Sequence, residues 1–489
     1  MCADFSPGVT PPPRTSDATA TMSTSTSAPQ TRSDLAPEIF KAYDIRGIVG
    51  KTLTVDAVRL IGQAIGSEAL DRGRDKIVIA RDGRLSGSTL AAALAEGLMA
   101  SGCDVINIGM VPTPLLYFAT HHLGTASGVM VTGSHNPPDY NGLKMVLAGE
   151  TLSGETIQDL RQRIIDDRLH QGEGNLKQDD VVDAYVKRVL GDIKLARPMR
   201  VVVDCGNGVA GTIAPRLLKA LGCELKELFC EVDGRFPNHH PDPSRPENLK
   251  DLMEALNEAP ADVGLAFDGD GDRLGVVSPD GSIIWADRQL ILFARDVLER
   301  NPGAEIIYDV KCSRTLPAAI TKAGGQATMW KTGHSFIKAK LKASGAALAG
   351  EMSGHIFFKE RWYGFDDGLY AAARLLEILS KDDRHPDEVF SGLPDTVNTP
   401  ELQLKMEEGA HHQLIKELVK AASFPDAKVS TIDGLRVDFD NGFGLVRASN
   451  TTPVLVFRFE ADDAATLSQI QDQFRDLLNT TRSGLDLPF

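Results

Sequence analysis

No stretch of this chain approaches the roughly 18 consecutive apolar residues that a membrane-spanning helix requires, so no membrane partner is expected. Cysteine is sparse: six in 489 residues, at Cys2, Cys103, Cys205, Cys223, Cys230 and Cys312, with no CxxC pair. That scatter points to reduced thiols in a cytoplasmic protein rather than to a disulfide framework. Positive charge is in deficit. The 52 Lys and Arg against 67 Asp and Glu leave a net charge of −15, which disfavours nucleic acid and anionic membranes as partners. A small anionic substrate stays compatible with it, provided cations are concentrated in one cleft. The first residues are rich in Ser, Thr, Pro and Ala and lack the apolar stretch of a signal peptide. Residues 1–36 are therefore expected to be a disordered extension.

From Ile39 onward, short Val- and Ile-rich runs alternate with amphipathic Ala- and Leu-rich stretches, the pattern of an α/β protein. Residues 76–80 read as a strand and 88–100 as a helix. The length implies several domains, and a weak internal repeat shows how they are arranged. KIVIARDGRLSG from Lys76, RVVVDCGNGVAG from Arg200 and EIIYDVKCSRTL from Glu305 each read as a strand running into a polar loop and then a helix. About 40–60 residues later each unit has a second strand ending in an unusual loop: GVMVTGSHNP from Gly128, VGLAFDGDGDR from Val263 and ALAGEMSGH from Ala347. The fold expected is three tandem related α/β domains, residues 37–180, 181–284 and 285–395. A smaller α+β domain follows over residues 396–489, with a helix at 407–422, strands around 429–439, 444–449 and 454–460, and a last helix from 464. Ligands of α/β sheets bind at loops beyond the carboxyl ends of strands, which is where these loops fall.

Each loop has its own chemistry. Ser134, between Gly133 and His135-Asn136-Pro137, reads as an exposed nucleophile or phosphate carrier, or as a hydrogen-bonded turn. The serine-hydrolase elbow is excluded, because Thr132 and Asn136 stand where it needs glycine. Asp268, Asp270 and Asp272 alternate with glycines, so three carboxylates can curl around one hard cation. An EF-hand is excluded, since its sixth and twelfth positions are Arg273 and Pro279. Mg²⁺ is favoured, because three carboxylates leave positions for a phosphate oxygen and waters, and Arg273 is placed to steady the same phosphoryl group. Glu351 and Ser353 stand two residues apart, suited to adjacent sugar hydroxyls or to a polar turn. The segment 447–453, RASNTTP, brings together a guanidinium, hydroxyls and an amide, suited to clamping a phosphate or to a surface turn. Gly50-Lys51-Thr52 ends like a nucleotide-binding P-loop but has Ile45 where the first glycine belongs.

TGSHNP, DGDGDR, GEMSGH and RASNTTP, in this order and at domain-sized intervals, resemble the α-D-phosphohexomutases, most closely the bacterial phosphomannomutase/phosphoglucomutase group. The resemblance runs from about Ile39 to the C-terminal region and implies a heart-shaped molecule with four domains around a central cleft. It implies that Ser134 carries the phosphoryl group and that Asp268, Asp270 and Asp272 hold Mg²⁺ together with that phosphoserine. It implies that Glu351 and Ser353 read the sugar hydroxyls, while Arg447, Ser449, Asn450 and Thr451 bind the phosphate that is not transferred. Lys311 and His334 match the family's sugar and phosphate contacts, Tyr43 and Arg46 in FKAYDIRG its N-terminal contacts, and Lys144 in NGLKM a basic residue beside the phosphoserine. Lys144, Arg46 and His135 stand as candidates for the general base. The implied reaction interconverts hexose 1- and 6-phosphates through a hexose 1,6-bisphosphate. Met352 in GEMSGH links the chain to mannose and glucose phosphates, whereas glucosamine-phosphate mutases tend to have Gln there. A monomer or weak oligomer is expected.

Overall fold

A computed structural model describes residues 35–258 and 260–489; the extension expected to be disordered lies almost wholly outside them. The first sheet has the strand order Ile45–Ile48, Tyr140–Leu147, Gly128–Val131, Lys76–Arg81, Asp104–Met110 and Leu176–Gln178, with Glu150–Thr151 paired to Tyr140–Leu147. The second runs Ile283–Ile284, Leu274–Val277, Val263–Phe267, Arg200–Asp204 and Glu224–Leu228, and the third Gln326–Trp330, Glu305–Asp309, Leu348–Gly350 and Ile356–Phe358.

The internal repeat has a topological cause. In each of these sheets two parallel neighbours are followed by one antiparallel strand: Lys76–Arg81 and Gly128–Val131 by Tyr140–Leu147, Arg200–Asp204 and Val263–Phe267 by Leu274–Val277, Glu305–Asp309 and Leu348–Gly350 by Ile356–Phe358. The loop between the second parallel strand and the antiparallel one is, in order, the Ser134 loop, the Asp loop and the Glu351 loop. Strand Val263–Phe267 is buried at every position because it lies inside its sheet with both faces covered, which is why its sequence is apolar without alternation. Helix Gly87–Ala100 buries Leu90, Leu94 and Leu98, spaced four apart, against the first sheet and its neighbouring helix.

The three units share one apolar core, running from Val78 and Leu116 through Leu265 and Phe293 to Leu348 and Phe390. The fourth sheet is antiparallel throughout, Val397–Asn398, Val454–Ala461, Gly442–Ala448, Leu435–Phe439 and Lys428–Ser430, with Leu402–Lys405 also on Val454–Ala461. Helices Ala410–Ala421 and Ala464–Thr481 cover it over a separate core of Leu414, Val437, Phe457 and Phe474. The run expected as strand around 429–439 is broken by Asp433-Gly434 into two strands, because Gly434 takes φ 90°, a left-handed turn conformation. No helix among the described residues is long and apolar enough to cross a membrane.

Candidate active site

Ser134 follows strand Gly128–Val131 and adopts φ 49°, a left-handed conformation that costs a non-glycine residue energy. Its surroundings hold it there. The Ser134 N–H donates to Thr132 Oγ1 at 2.8 Å, and Asp82 Oδ2 accepts from Thr132 Oγ1 (2.8 Å) and the Gly133 N–H (3.0 Å). From behind, Arg84 donates to the carbonyls of Ser134 (2.9 Å), Asn136 (2.5 Å), Pro137 (2.5 Å) and Tyr140 (2.9 Å), and Arg46 donates to that of Gly133 at 2.6 Å while paired with Asp44. The Ser134 hydroxyl points the other way: Oγ donates to Asp268 Oδ2 at 2.9 Å and lies 3.1 Å from His135 Nδ1.

The Asp loop packs directly on the serine loop. A Cβ on Gly269 would stand 2.3 Å from the Ser134 carbonyl oxygen, so only glycine fits, and Gly271 turns the chain at φ 75°. Asp268 Oδ1 accepts the N–H groups of Asp272 (3.1 Å) and Arg273 (3.2 Å), which curls the loop until the three carboxylates converge, all fully buried and with candidate ligand atoms within 4.8 Å of one another. Among the described residues, Asp270 Oδ1 and Asp272 Oδ1 have no hydrogen-bond partner. Burial, then the charge of Asp270, pushes Asp268 and Asp272 above the usual carboxylate range; at Asp270 burial is outweighed by Lys144, which holds it far below. Lys144 Nζ bonds Asp270 Oδ2 at 2.8 Å and also Asp272 Oδ2, and these carboxylates outweigh the burial that would otherwise lower its pKa. Three buried carboxylates facing Lys144 and, 3.9 Å from Asp268, the Arg273 guanidinium, with free oxygens left over, fit a hard divalent ion.

The Glu351 loop meets the Asp loop edge to edge, with the Leu274 N–H donating to the Gly354 carbonyl at 3.1 Å and Arg273 bridged to His355. Arg273 Nε donates to His355 Nε2 at 3.0 Å. His355 Nδ1 lies 3.2 Å from Asp366 Oδ2 and 3.5 Å from Asp272 Oδ1, so the imidazole stands between the triad and Asp366, and Asp272, His355 and Asp366 form a second group able to hold a metal. Ser353 lies in the turn closed by the Gly354 N–H on the Glu351 carbonyl at 3.0 Å. Glu351 Oε1 accepts the Gly333 N–H at 2.5 Å, beside His334, whose two buried ring nitrogens have no hydrogen-bond partner among the described residues. Tyr43 packs edge-on against His334, with ring centroids 5.4 Å apart. Burial, followed by nearby cations, depresses His334 and His135 well below the usual histidine value, so both rings are neutral near pH 7.

The fourth loop joins through Asp433, which accepts the Thr332 N–H and the Arg447 Nε–H, both at 3.0 Å. Ser449, Asn450, Thr451 and Thr452 line a cavity of about 490 Å³ and face Phe40, Lys41 and Ala42 of the first unit across it. Lys311 Nζ bonds Glu401 Oε2 at 3.0 Å, and at Glu401 this lysine outweighs burial and holds the carboxyl down at about 2. The first three loops thus touch, and Asp433 ties the fourth to Thr332, next to the Gly333 N–H that Glu351 accepts. Residues without a motif also shape the site: Asp82 and Arg84 behind the serine, Thr113 on Asp270 at 2.6 Å, and Lys338 on Asp366 at 2.8 Å. For Asp82 and Arg84 the signal was present, a charged DGR directly after a strand in the repeat unit.

Known proteins share this order of domains. Sequence profiles of the phosphoglucomutase/phosphomannomutase family match alpha/beta/alpha domain I over residues 37–170, domain II over 183–281, domain III over 285–397 and the C-terminal domain over 401–477. The phosphomannomutase/phosphoglucomutase of Pseudomonas aeruginosa is 57% identical over 455 residues, covering 93% of this chain and 98% of that protein. The phosphoglucomutase of Neisseria meningitidis is 57% identical over 451 residues, 91% of this chain and 98% of its own. The crystal structure of a phosphoglucomutase/phosphomannomutase family protein from Burkholderia thailandensis superposes with a TM-score of 0.89 at 58% identity, covering 93% of this chain and all of that one. With its four domains matched in order and its carboxylate triad set against a buried serine hydroxyl, the chain belongs to the phosphoglucomutase/phosphomannomutase family of Mg²⁺-dependent α-D-phosphohexomutases.

Proposed function

We propose that this protein interconverts the 1- and 6-phosphates of mannose, glucose or both, by way of a phosphoserine at Ser134 and a hexose 1,6-bisphosphate. The observation that carries the reading is the placement of Ser134 Oγ, 2.9 Å from Asp268 Oδ2 at the edge of a buried carboxylate triad. Asp268, Asp270 and Asp272 are the residues to hold Mg²⁺, and the chemistry supplied there is Lewis-acid stabilisation of charge on the phosphoryl oxygens. Phosphoryl transfer depends mainly on positioning and charge. Arg84 and Arg46 fix the serine backbone, Lys144 and Arg273 bring positive charge to the transferring group, and the neutral His135 imidazole stands ready to carry a proton at the Ser134 oxygen.

The sugar is then held away from the reacting end. Glu351 and Ser353 take its hydroxyls, His334, Lys311 and Tyr43 flank it, and Arg447, Ser449, Asn450 and Thr451 clamp the phosphate that stays. After the first transfer the bisphosphate turns end over end, so the same contacts serve both orientations, and its second phosphate returns to Ser134. Closure over the cavity beside Ser449–Thr452 retains the intermediate. Intact-mass measurement before and after mixing with glucose 1,6-bisphosphate tests the reading: one phosphoryl group should be gained and map to Ser134, and a phosphoryl group on any other residue would refute it.

A further inference from the structure

Lys311 stands on a loop of the third unit whose backbone is gripped by the fourth. Arg436 Nη1 donates to the carbonyl oxygens of Val310 at 2.6 Å and Cys312 at 2.8 Å, and Arg458 Nη1 donates to that of Lys311 itself at 2.8 Å. Two guanidinium groups therefore cap three consecutive carbonyls centred on the lysine. They come from one row of the sheet: Arg436 is opposite Leu445, and Leu445 is opposite Arg458, so their side chains leave the same face of three adjacent strands. Leu445 packs between the two arginines' strands in a small core with Val310 and Phe443, and the Arg436 guanidinium lies 3.8 Å over the Phe443 ring.

Acidic groups lock the next turn. Asp287 Oδ2 accepts the Ser313 N–H at 2.9 Å and lies 3.3 Å from Arg458 Nη2; Glu460, two residues along the strand, accepts Ser313 Oγ at 2.9 Å. Arg436, Arg458, Asp287 and Glu460 are all buried. Holding two sheets together does not require this. Apolar side chains of similar volume anchor an interface without desolvating charge. What the guanidinium groups add is direction: each carbonyl is fixed, and with it the stem from which Lys311 extends.

We propose that Arg436 and Arg458 are positioning residues for Lys311, so that substrate affinity at a lysine of the third unit is set by the fourth. This rests on reading Lys311 as a substrate contact. Strand Gly442–Ala448 carries Leu445 in the gripping row and ends beside Ser449 of the phosphate clamp, so the grip also holds Lys311 and the clamp in a fixed spacing.

A double-mutant cycle tests the proposal, with glucose 1-phosphate affinity read by calorimetry and KM, kcat and Tm measured on the same samples. Arg458→Gln alone should weaken binding about tenfold, mainly through KM, and restoring a cation with Arg458→Lys should recover part of the loss. In a Lys311→Met background the same Arg458→Gln change should add less than about twofold, because its effect is already spent. A full, additive loss in that background, or unchanged affinity in Arg458→Gln, would overturn the proposal. If Arg458→Gln does not fold, Arg436→Lys, which keeps the charge and can cap only part of the carbonyl set, is carried through the same cycle. An unaltered affinity in Lys311→Met alone would remove the substrate contact itself, and that result is separable because it appears in the single variant.

Discussion

Arg84 holds the carbonyl of Ser134 at 2.9 Å, so the backbone of the proposed nucleophile is pinned from the side opposite its hydroxyl. The same guanidinium takes three further carbonyls of the loop, and Asp82 lies 3.3 Å from its Nε. The left-handed φ of Ser134 is stable only while these bonds persist. Arg84→Lys keeps the charge but cannot reach four carbonyls at once. Turnover should fall by about a hundredfold, as for a misplaced reacting group, while the circular dichroism spectrum stays native. A variant with full activity would show that the loop holds its conformation without Arg84.

Ser134→Ala should abolish turnover and leave sugar-phosphate binding measurable by calorimetry. The hydroxyl is the only part removed, and the clamp, Lys311 and the Glu351 loop are untouched. Residual turnover near the wild-type rate would refute a covalent role for this residue.

Asp270 is the triad member held most firmly ionised, through Lys144 and a 2.6 Å bond from Thr113. Asp270→Asn removes one anionic ligand and leaves Lys144 with a single carboxylate partner. The Mg²⁺ concentration for half-maximal activity should rise by at least about tenfold, and kcat should fall with it. Titration of rate against Mg²⁺ reads both, and an unchanged metal response would take the triad out of the site.

Much of the site was legible because its chemistry is concentrated in contiguous runs at strand ends. Ser134, the three aspartates, Glu351 and Arg447 each sit in a segment whose composition suits a loop and whose neighbours suit a strand. The three tandem α/β units followed from the repeat, since each shows a strand, a polar loop and a helix in the same order. Arg436 and Arg458 were not legible as functional. They act on backbone carbonyls contributed by distant loops, and a lone arginine in a strand or turn has no spacing to mark it. Asp366 was hidden for a related reason: its partners Lys338 and His355 lie 28 and 11 residues away and meet only after the third sheet has formed. The break at Asp433-Gly434 was missed because the flanking residues are all strand-compatible, yet it supplies the carboxylate that ties Arg447 to the rest of the site.

Asp367 offers a pH-dependent test of how the units are joined. It caps helix Gly368–Lys381, accepting the Tyr370 N–H at 2.9 Å, and its carboxyl also accepts Tyr185 OH (2.9 Å) and Trp362 Nε1 (3.2 Å). Tyr185 belongs to helix Val182–Asp192, which leads from the first sheet into the second, so this carboxyl ties that helix to the third unit. Burial raises its pKa to about 7, against 3.8 for an ordinary aspartate, despite these donors. The folded protein therefore keeps a proton that the unfolded chain has released between these two values. Stability should fall as pH rises across that window, by up to about 1.4 kcal/mol per pH unit from this group. Asp367→Asn keeps a capping oxygen and cannot ionise, so its Tm should decline less steeply than the wild type's between about pH 5 and 7. Parallel Tm–pH slopes for the two proteins would place the titration of this carboxyl outside that range.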